Sequence, residues 1–244
     1  MGKCPPPDAL PGEPARAVLR AGTPVYRVHT TGREPTAYNT RLSHPFYYGG
    51  RFDSTPYDTY GFVYVGFGVG AALCEVLLRS LPFEDDGSHG SSGPRRLLPR
   101  SAFERRSLAF LQLTEDVPVV SLMSAAELAA VAQDPWLIHA EGRDYPQTRD
   151  WGHWIRRRTA PWARGFVWPS KRDPADRVAV LFDDRGGGTG ALEAAGSASV
   201  DFGTPEGEQW LNNALAPYLT RTAPEVGEPC PGNGDVVRTG VRAG

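Results

Sequence analysis

The chain reads as an α+β domain, on three observations. Its strand-like and helix-like segments do not alternate regularly, which argues against a doubly wound sheet. With 244 residues, 40% hydrophobic and 10% aromatic, it can fill a real core as one large domain or two small ones. The stretch from Gly49 to Arg79 joins a glycine pair, a short apolar strand and a helix that is apolar nearly all round. Such a helix belongs in a buried setting.

Residues 1–22, rich in Pro, Gly and Ala, are expected to form an N-terminal arm with at most a short helix near Ala15 to Arg20. The first strand is PVYRVH (24–29), bounded by Thr-Pro and Thr-Thr-Gly. A polar, aromatic loop follows over 30–48, ending in Phe46-Tyr47-Tyr48. FVYVGF (62–67) is the next strand, and it leads into a helix of about eleven residues. Residues 82–100, with EDDGSHGSSGPRR, lack periodicity and read as a flexible insertion inside the domain. Strands are expected at 108–113 and 117–122, then helices at 125–133, capped by Ser124 or Ser121, and 147–158. Residues 165–168 and 178–182 read as strands, a Gly-rich turn spans 186–190, and a weak strand lies near 199–202. Thr204-Pro205 starts a last helix over 206–219. The main domain therefore spans 23–220, and residues 221–244 read as a disordered tail.

In the central helix Val69, Ala72, Leu73, Val76 and Leu77 share one face, while Ala71, Cys74 and Leu78 cover much of the rest. Its only carboxylate is Glu75. A buried carboxylate needs a partner. Either Glu75 pairs with Arg79, four residues on and in the favoured helical orientation, on a solvated edge, or it belongs to a site.

Composition narrows the function classes. The 26 basic and 28 acidic residues leave a formal charge of −2, so no global field points to nucleic acid or a membrane surface. Three widely separated cysteines, Cys4, Cys74 and Cys230, argue for a reducing compartment without a disulfide framework. With no signal core, no myristoylation pattern and no long apolar run, the chain is expected to be soluble and cytoplasmic.

Three local motifs are weak. GFGVGA (66–71) fits a dinucleotide fingerprint between a strand and a helix, but no strand-end acid follows about twenty residues on. His139-Ala140-Glu141 has the H-x-E of zinc deaminases without their cysteine pair, so no metal site is expected. Trp151 and Trp154 beside Arg156 to Arg158 could stack on single-stranded nucleic acid, yet a packed helix with a basic end explains them as well, and no nucleic-acid partner is expected. Arg27, Arg51, Glu75 and Ser170 make the better constellation. Guanidinium forks on a strand and a Gly-Gly turn suit a diphosphate. A carboxylate suits a ribose diol or a developing sugar cation, and a turn serine can donate or accept a hydrogen bond.

VYRVH, YYGGRFDS, FVYVGF…AALCEVLLRSLPF and RGFVWPSKRDPADRVAVLFDDR, in this order, resemble the RES domain family over about residues 24–219. The resemblance implies an ADP-ribosyltransferase-like fold, a split, mixed β-sheet with surrounding helices and a central cleft for NAD. It implies an NAD-consuming enzyme that cleaves the nicotinamide–ribose bond by phosphorolysis, with inorganic phosphate as second substrate, or by hydrolysis. Such proteins serve as toxins of toxin–antitoxin pairs, where a helix-turn-helix antitoxin can block the cleft. The alternatives are a protein ADP-ribosyltransferase and a catalytically inactive binding module. Matched motif by motif, Arg27 is the strand-one arginine, Arg51 that of the G-R-F turn, Tyr64 the strand tyrosine, Glu75 the helix glutamate and Ser170 the serine of P-S. Glu75, Arg51 and Ser170 are the implied catalytic residues, and Arg27, Arg51, Tyr64 and Ser170 the implied NAD-binding ones. Members often carry an aromatic residue after the first arginine, where this chain has Val28; Tyr47 or Tyr48 is the expected substitute.

Overall fold

A computed structural model of the chain describes residues 4–83, 95–185 and 190–224. In chain order its elements are β1 (Arg16–Leu19), β2 (Pro24–Thr30), β3 (Phe62–Gly66), α1 (Val69–Leu73), β4 (Arg96–Leu98), β5 (Arg106–Leu113) and β6 (Val117–Ser121). There follow α2 (Ala125–Ala130), α3 (Trp136–His139), α4 (Tyr145–Arg158), β7 (Gly165–Pro169), β8 (Arg177–Phe182), β9 (Leu192–Asp201), α5 (Pro205–Leu215) and β10 (Thr220–Thr222). Among the described residues no helix is long and apolar enough to cross a membrane.

Side-chain alternation organises these pieces. Along β3, β7 and β8, Phe62, Phe166, Trp168, Val178, Val180 and Phe182 face one core, with Trp151, Trp154 and Ile155 of α4. Their neighbours Val63, Val65, Val167, Ala179 and Leu181 face a second core on the opposite side of the sheet. Along β2 and β5, Val28 and Leu108 point instead into a third core with Leu73, Leu77, Phe202, Leu211 and Leu215, beneath α1 and α5. One sheet thus carries two separate helical covers on the same side.

The sheet has eight strands in the order β1-β6-β7-β8-β3-β2-β5-β9. β6 and β7 run parallel, and the other neighbours are antiparallel. This is the mixed-sheet α+β architecture expected from the sequence. The sheet is split: β2 is paired with β5 along its whole length, but with β3 only at Tyr26↔Gly66. The two strands diverge from that point and leave a gap between the helical covers. Gly66 is needed at the join, because a Cβ there would lie 2.6 Å from Ala72 N.

The structure corrects several expectations. Arg16–Leu19 is a strand, not a helix, and pairs with β6 through Leu19↔Val117 to Arg16↔Val120. Four residues cannot sustain an isolated helix, whereas the open edge of β6 supplies a ladder. The rest of the arm is also tied down: Cys4 O accepts from Trp151 Nε1 at 3.1 Å, and Leu10 packs on the α4 core. Of the 82–100 insertion, residues 84–94 lie outside the described part, but its end forms β4, paired in parallel with β10. The main domain therefore reaches past residue 220, since Thr222 N donates to Asn212 Oδ1 at 2.8 Å and Ala223 N to Leu98 O at 2.8 Å. The weak strand near 199–202 is the end of the ten-residue β9. Residues 186–189 of the turn expected at 186–190 and residues 225–244 of the tail expected at 221–244 lie outside the described residues, as does Cys230.

The central helix is not α throughout. α1 gives way to a π turn over Cys74–Leu78. π turns concentrate at functional sites because the extra residue per turn redirects side chains. Here Cys74, Leu77 and Leu78 pack into the core, while Glu75 and Val76 line the gap between the sheet halves.

Candidate active site

The gap is a cavity of about 430 Å³ between β2, β3, the Gly49–Gly50–Arg51 turn and the π turn. Its walls carry Arg27, Arg33, Arg51, Arg79 and Arg106 against two carboxylates, Asp53 and Glu75. Tyr26, Val28, His29, Tyr64 and Trp168 supply aromatic and apolar surface.

Arg51 is presented by a tightly held turn. Gly49 has φ +81, and a Cβ on Gly50 would meet Asp53 Oδ1 at 2.5 Å. Asp53 is the clamp: Oδ2 accepts from Gly50 N and Ser43 Oγ, both at 2.7 Å, and Oδ1 accepts from Tyr64 OH at 3.0 Å. Tyr64 OH in turn accepts from Phe52 N at 2.8 Å. Burial first, then the Asp53 charge, pushes the Tyr64 phenol well above its ordinary value, so it stays a donor. From the other side the fully buried Arg149 donates to the carbonyls of Tyr48 (2.6 Å), His44 (2.9 Å), Pro45 (3.2 Å) and Gly50 (3.2 Å). His153 Nε2 lies 3.2 Å from Asp53 O.

Glu75 is not paired with Arg79. Its Oε1 accepts from Lys171 N at 2.9 Å and from Ser170 Oγ at 3.2 Å. Its Oε2 lies 3.8 Å from Arg51 Nη1, an ion pair too long for a hydrogen bond. Arg51 is 3% exposed; Nη2 donates to Ala140 O at 3.4 Å, and Nε is buried without a partner. Arg79 instead lies over the Tyr145 ring, 5.0 Å from its centroid. Glu75 is therefore not the i, i+4 partner of Arg79; it lines the cavity and faces Arg51.

The structure brings Arg51, Glu75 and Ser170 together. Ser170 is fully buried and touches the site only through Glu75. Arg27 lines the same cavity, but shares the strand face of Val25 rather than that of Val28. Its Nη1 donates to Pro35 O (2.5 Å) and Ala37 O (2.7 Å), and burial, then Arg33, pushes its pKa down to about 10. Tyr64 lines the cavity, with its hydroxyl committed to the turn. Tyr48 is not drawn in: its side chain is 90% exposed, at φ 54, and what it contributes is its carbonyl to Arg149.

Asp53 and Arg149 were not singled out from sequence. Asp two residues after Gly-Gly-Arg carried a turn signal, since a short carboxylate readily bonds nearby backbone N–H groups. Nothing in the helical pattern marked Arg149, whose partners are loop carbonyls. Trp151 and Trp154 are buried, and Arg156 pairs with Asp58 and Asp184. Glu141 pairs with Lys171, and among the described residues no His/Cys/Asp/Glu group could hold a metal ion.

The split mixed sheet thus opens a cleft in which an arginine stands against a helix-borne carboxylate. The RES domain family model matches residues 24–202, so the chain belongs to the RES domain family, whose members act on NAD. Among solved structures, the toxin–antitoxin complex MbcT–MbcA of M. tuberculosis is similar, with TM-score 0.49 and 16% identity over 75% of this chain and 86% of that chain. No curated protein matches the chain.

Proposed function

We propose that the chain is an NAD-consuming toxin that cleaves the nicotinamide–ribose bond, with phosphate or water as the acceptor. The carrying observation is the Glu75–Arg51 pair, 3.8 Å apart in the cavity between the sheet halves. Cleavage of an N-glycosidic bond passes through an oxocarbenium-like state, and a fixed carboxylate stabilises the charge that develops at the anomeric carbon. Ser170 Oγ and Lys171 N hold Glu75 in place, so its orientation costs nothing during the reaction. Arg51, and Arg27 from the other strand face where the sheet splits, take the pyrophosphate oxygens. Nicotinamide leaves neutral, so no strong general acid is needed. The same reading pairs the chain with an antitoxin protein of helix-turn-helix type that covers the cleft.

Purified protein incubated with NAD tests this. The expected products are nicotinamide with ADP-ribose, or with ADP-ribose-1″-phosphate when phosphate is present. Labelled NAD with cell lysate covers the transferase alternative, where label moves to protein. Undiminished NAD with no labelled protein would sink the enzymatic reading.

A further inference from the structure

The cavity carries more positive charge than this reaction uses. Of its two carboxylates, Asp53 is occupied by Ser43, Gly50 and Tyr64, and Glu75 faces Arg51. Arg33, Arg79 and Arg106 remain, and of these Arg33 acts on Arg27. Arg106 opposes Thr30 at the start of β5 and shares the strand face of Leu108, which packs with Val28 and the π-turn residues. Its side chain therefore stands on the same side of the sheet as Arg79, and both line the cavity. Burial, and then the Arg79 guanidinium, pushes the Arg106 pKa down. Among the described residues neither forms an ion pair with a carboxylate. Stacking on Tyr145 fixes the plane of the Arg79 guanidinium and consumes none of its N–H donors. Two half-buried guanidiniums that line one cavity repel each other, and an anion bound between them offsets that cost.

We propose that Arg79 and Arg106 form a second anion subsite, distinct from the Arg51–Glu75 pair, that takes a tetrahedral phosphate group. The proposal rests on the NAD reading of the cavity and deepens it. The phosphate has two sources: a monoester on the dinucleotide, as in the 2′-phosphate of NADP, or a free phosphate ion beside it.

Binding of inorganic phosphate, NAD and NADP to the full chain is measured by calorimetry at fixed ionic strength, for wild type, Arg79→Gln, Arg106→Gln and Arg106→Lys. Wild type is expected to bind inorganic phosphate, to prefer NADP over NAD, or both. Each Gln variant is expected to weaken that binding or preference about tenfold to a hundredfold, the range for a lost charge-assisted hydrogen bond. Arg106→Lys keeps the charge without the fork and recovers only part. Dependence seen with phosphate alone identifies the free ion, and an NADP preference that the variants erase identifies the monoester. Should Arg106→Gln fail to fold, judged by its melting curve, Arg79→Gln decides alone. Wild type indifferent to both ligands, or Gln variants that bind as wild type does, overturns the subsite. If NAD is cleaved yet the variants change nothing, the NAD reading stands and the subsite falls. If NAD is neither bound nor cleaved while phosphate binding follows Arg79 and Arg106, the subsite stands and the NAD reading falls.

Discussion

Ser170 Oγ donates to Glu75 Oε1 at 3.2 Å, although 95 residues separate them in the chain. The bond ties the turn after β7 to the π turn across the cavity floor and fixes the one carboxylate oxygen that does not face Arg51. Glu75→Gln keeps shape and hydrogen bonding but removes the charge. Its NAD cleavage rate should fall about 10²–10³-fold, the usual effect of losing one preorganised electrostatic contact. Its melting temperature should fall, because the buried Arg51 loses the carboxylate it faces. Near-wild-type turnover would falsify the role given to Glu75.

Ser170→Ala leaves Glu75 Oε1 with Lys171 N alone. Ser170 reaches the site only through Glu75, so the expected loss is about tenfold in kcat with little change in KM. Stability should fall by about 1 kcal/mol, the net worth of one hydrogen bond. A large KM effect with kcat intact would mean that Ser170 meets the substrate itself.

Arg149→Met should be the most destabilising of these changes. It strips four loop carbonyls of their donor. The expected cost is about 3 kcal/mol or more, read from urea unfolding. Arg149→Lys should recover little, because an ammonium cannot reproduce the planar fork. An unfolding midpoint at the wild-type value would show that the loop does not depend on this residue.

Stability should decline on the acid side of neutrality. Burial lowers the pKa of His153 below its ordinary 6.5, and His29 and His139 are lowered by burial as well. Each binds its proton less tightly in the fold than in the unfolded chain, so stability is full above the unfolded pKa and drains as pH falls below it. The urea midpoint should therefore drop between about pH 7 and pH 5, and less in a His153→Gln variant. Equal slopes for the two proteins would remove His153 from the account.

A chain cut after Thr220 should melt below wild type, because it loses the Thr222 and Ala223 bonds to Asn212 and Leu98. Each kcal/mol lost shifts Tm by about 2–4 °C in a protein of this size. A cut after Pro224 spares those bonds and should keep the wild-type Tm. Equal melting of the two truncated forms would restore the boundary at residue 220.

Several elements were legible in the sequence: β2, β3, β7 and β8 as short apolar runs, α4 by its tryptophans and basic end, α5 by its Thr-Pro start. Glu75 was legible too, as the lone charge in an apolar helix. β1, β4 and β10 were not, since three- and four-residue strands owe their existence to a partner edge. The partner of Glu75 was not readable either. Spacing favoured Arg79, but Tyr145 captures that guanidinium and leaves Arg51 to face the carboxylate. Asp53 and Arg149 act on backbone groups of one loop, and backbone geometry leaves little trace in side-chain patterns.

The fork between β2 and β3 bears on how the protein tolerates substitution. Past Tyr26↔Gly66, the peptide groups that these strands turn toward each other have no ladder partner across the gap. A ligand lodged there can bond to main chain that every amino acid supplies alike. Alanine scanning is blind to such contacts: it erases arginines and carboxylates and leaves the carbonyls and amides untouched. Only a change to the backbone itself, an amide-to-ester replacement at Val28 or Tyr64, reaches that layer of recognition.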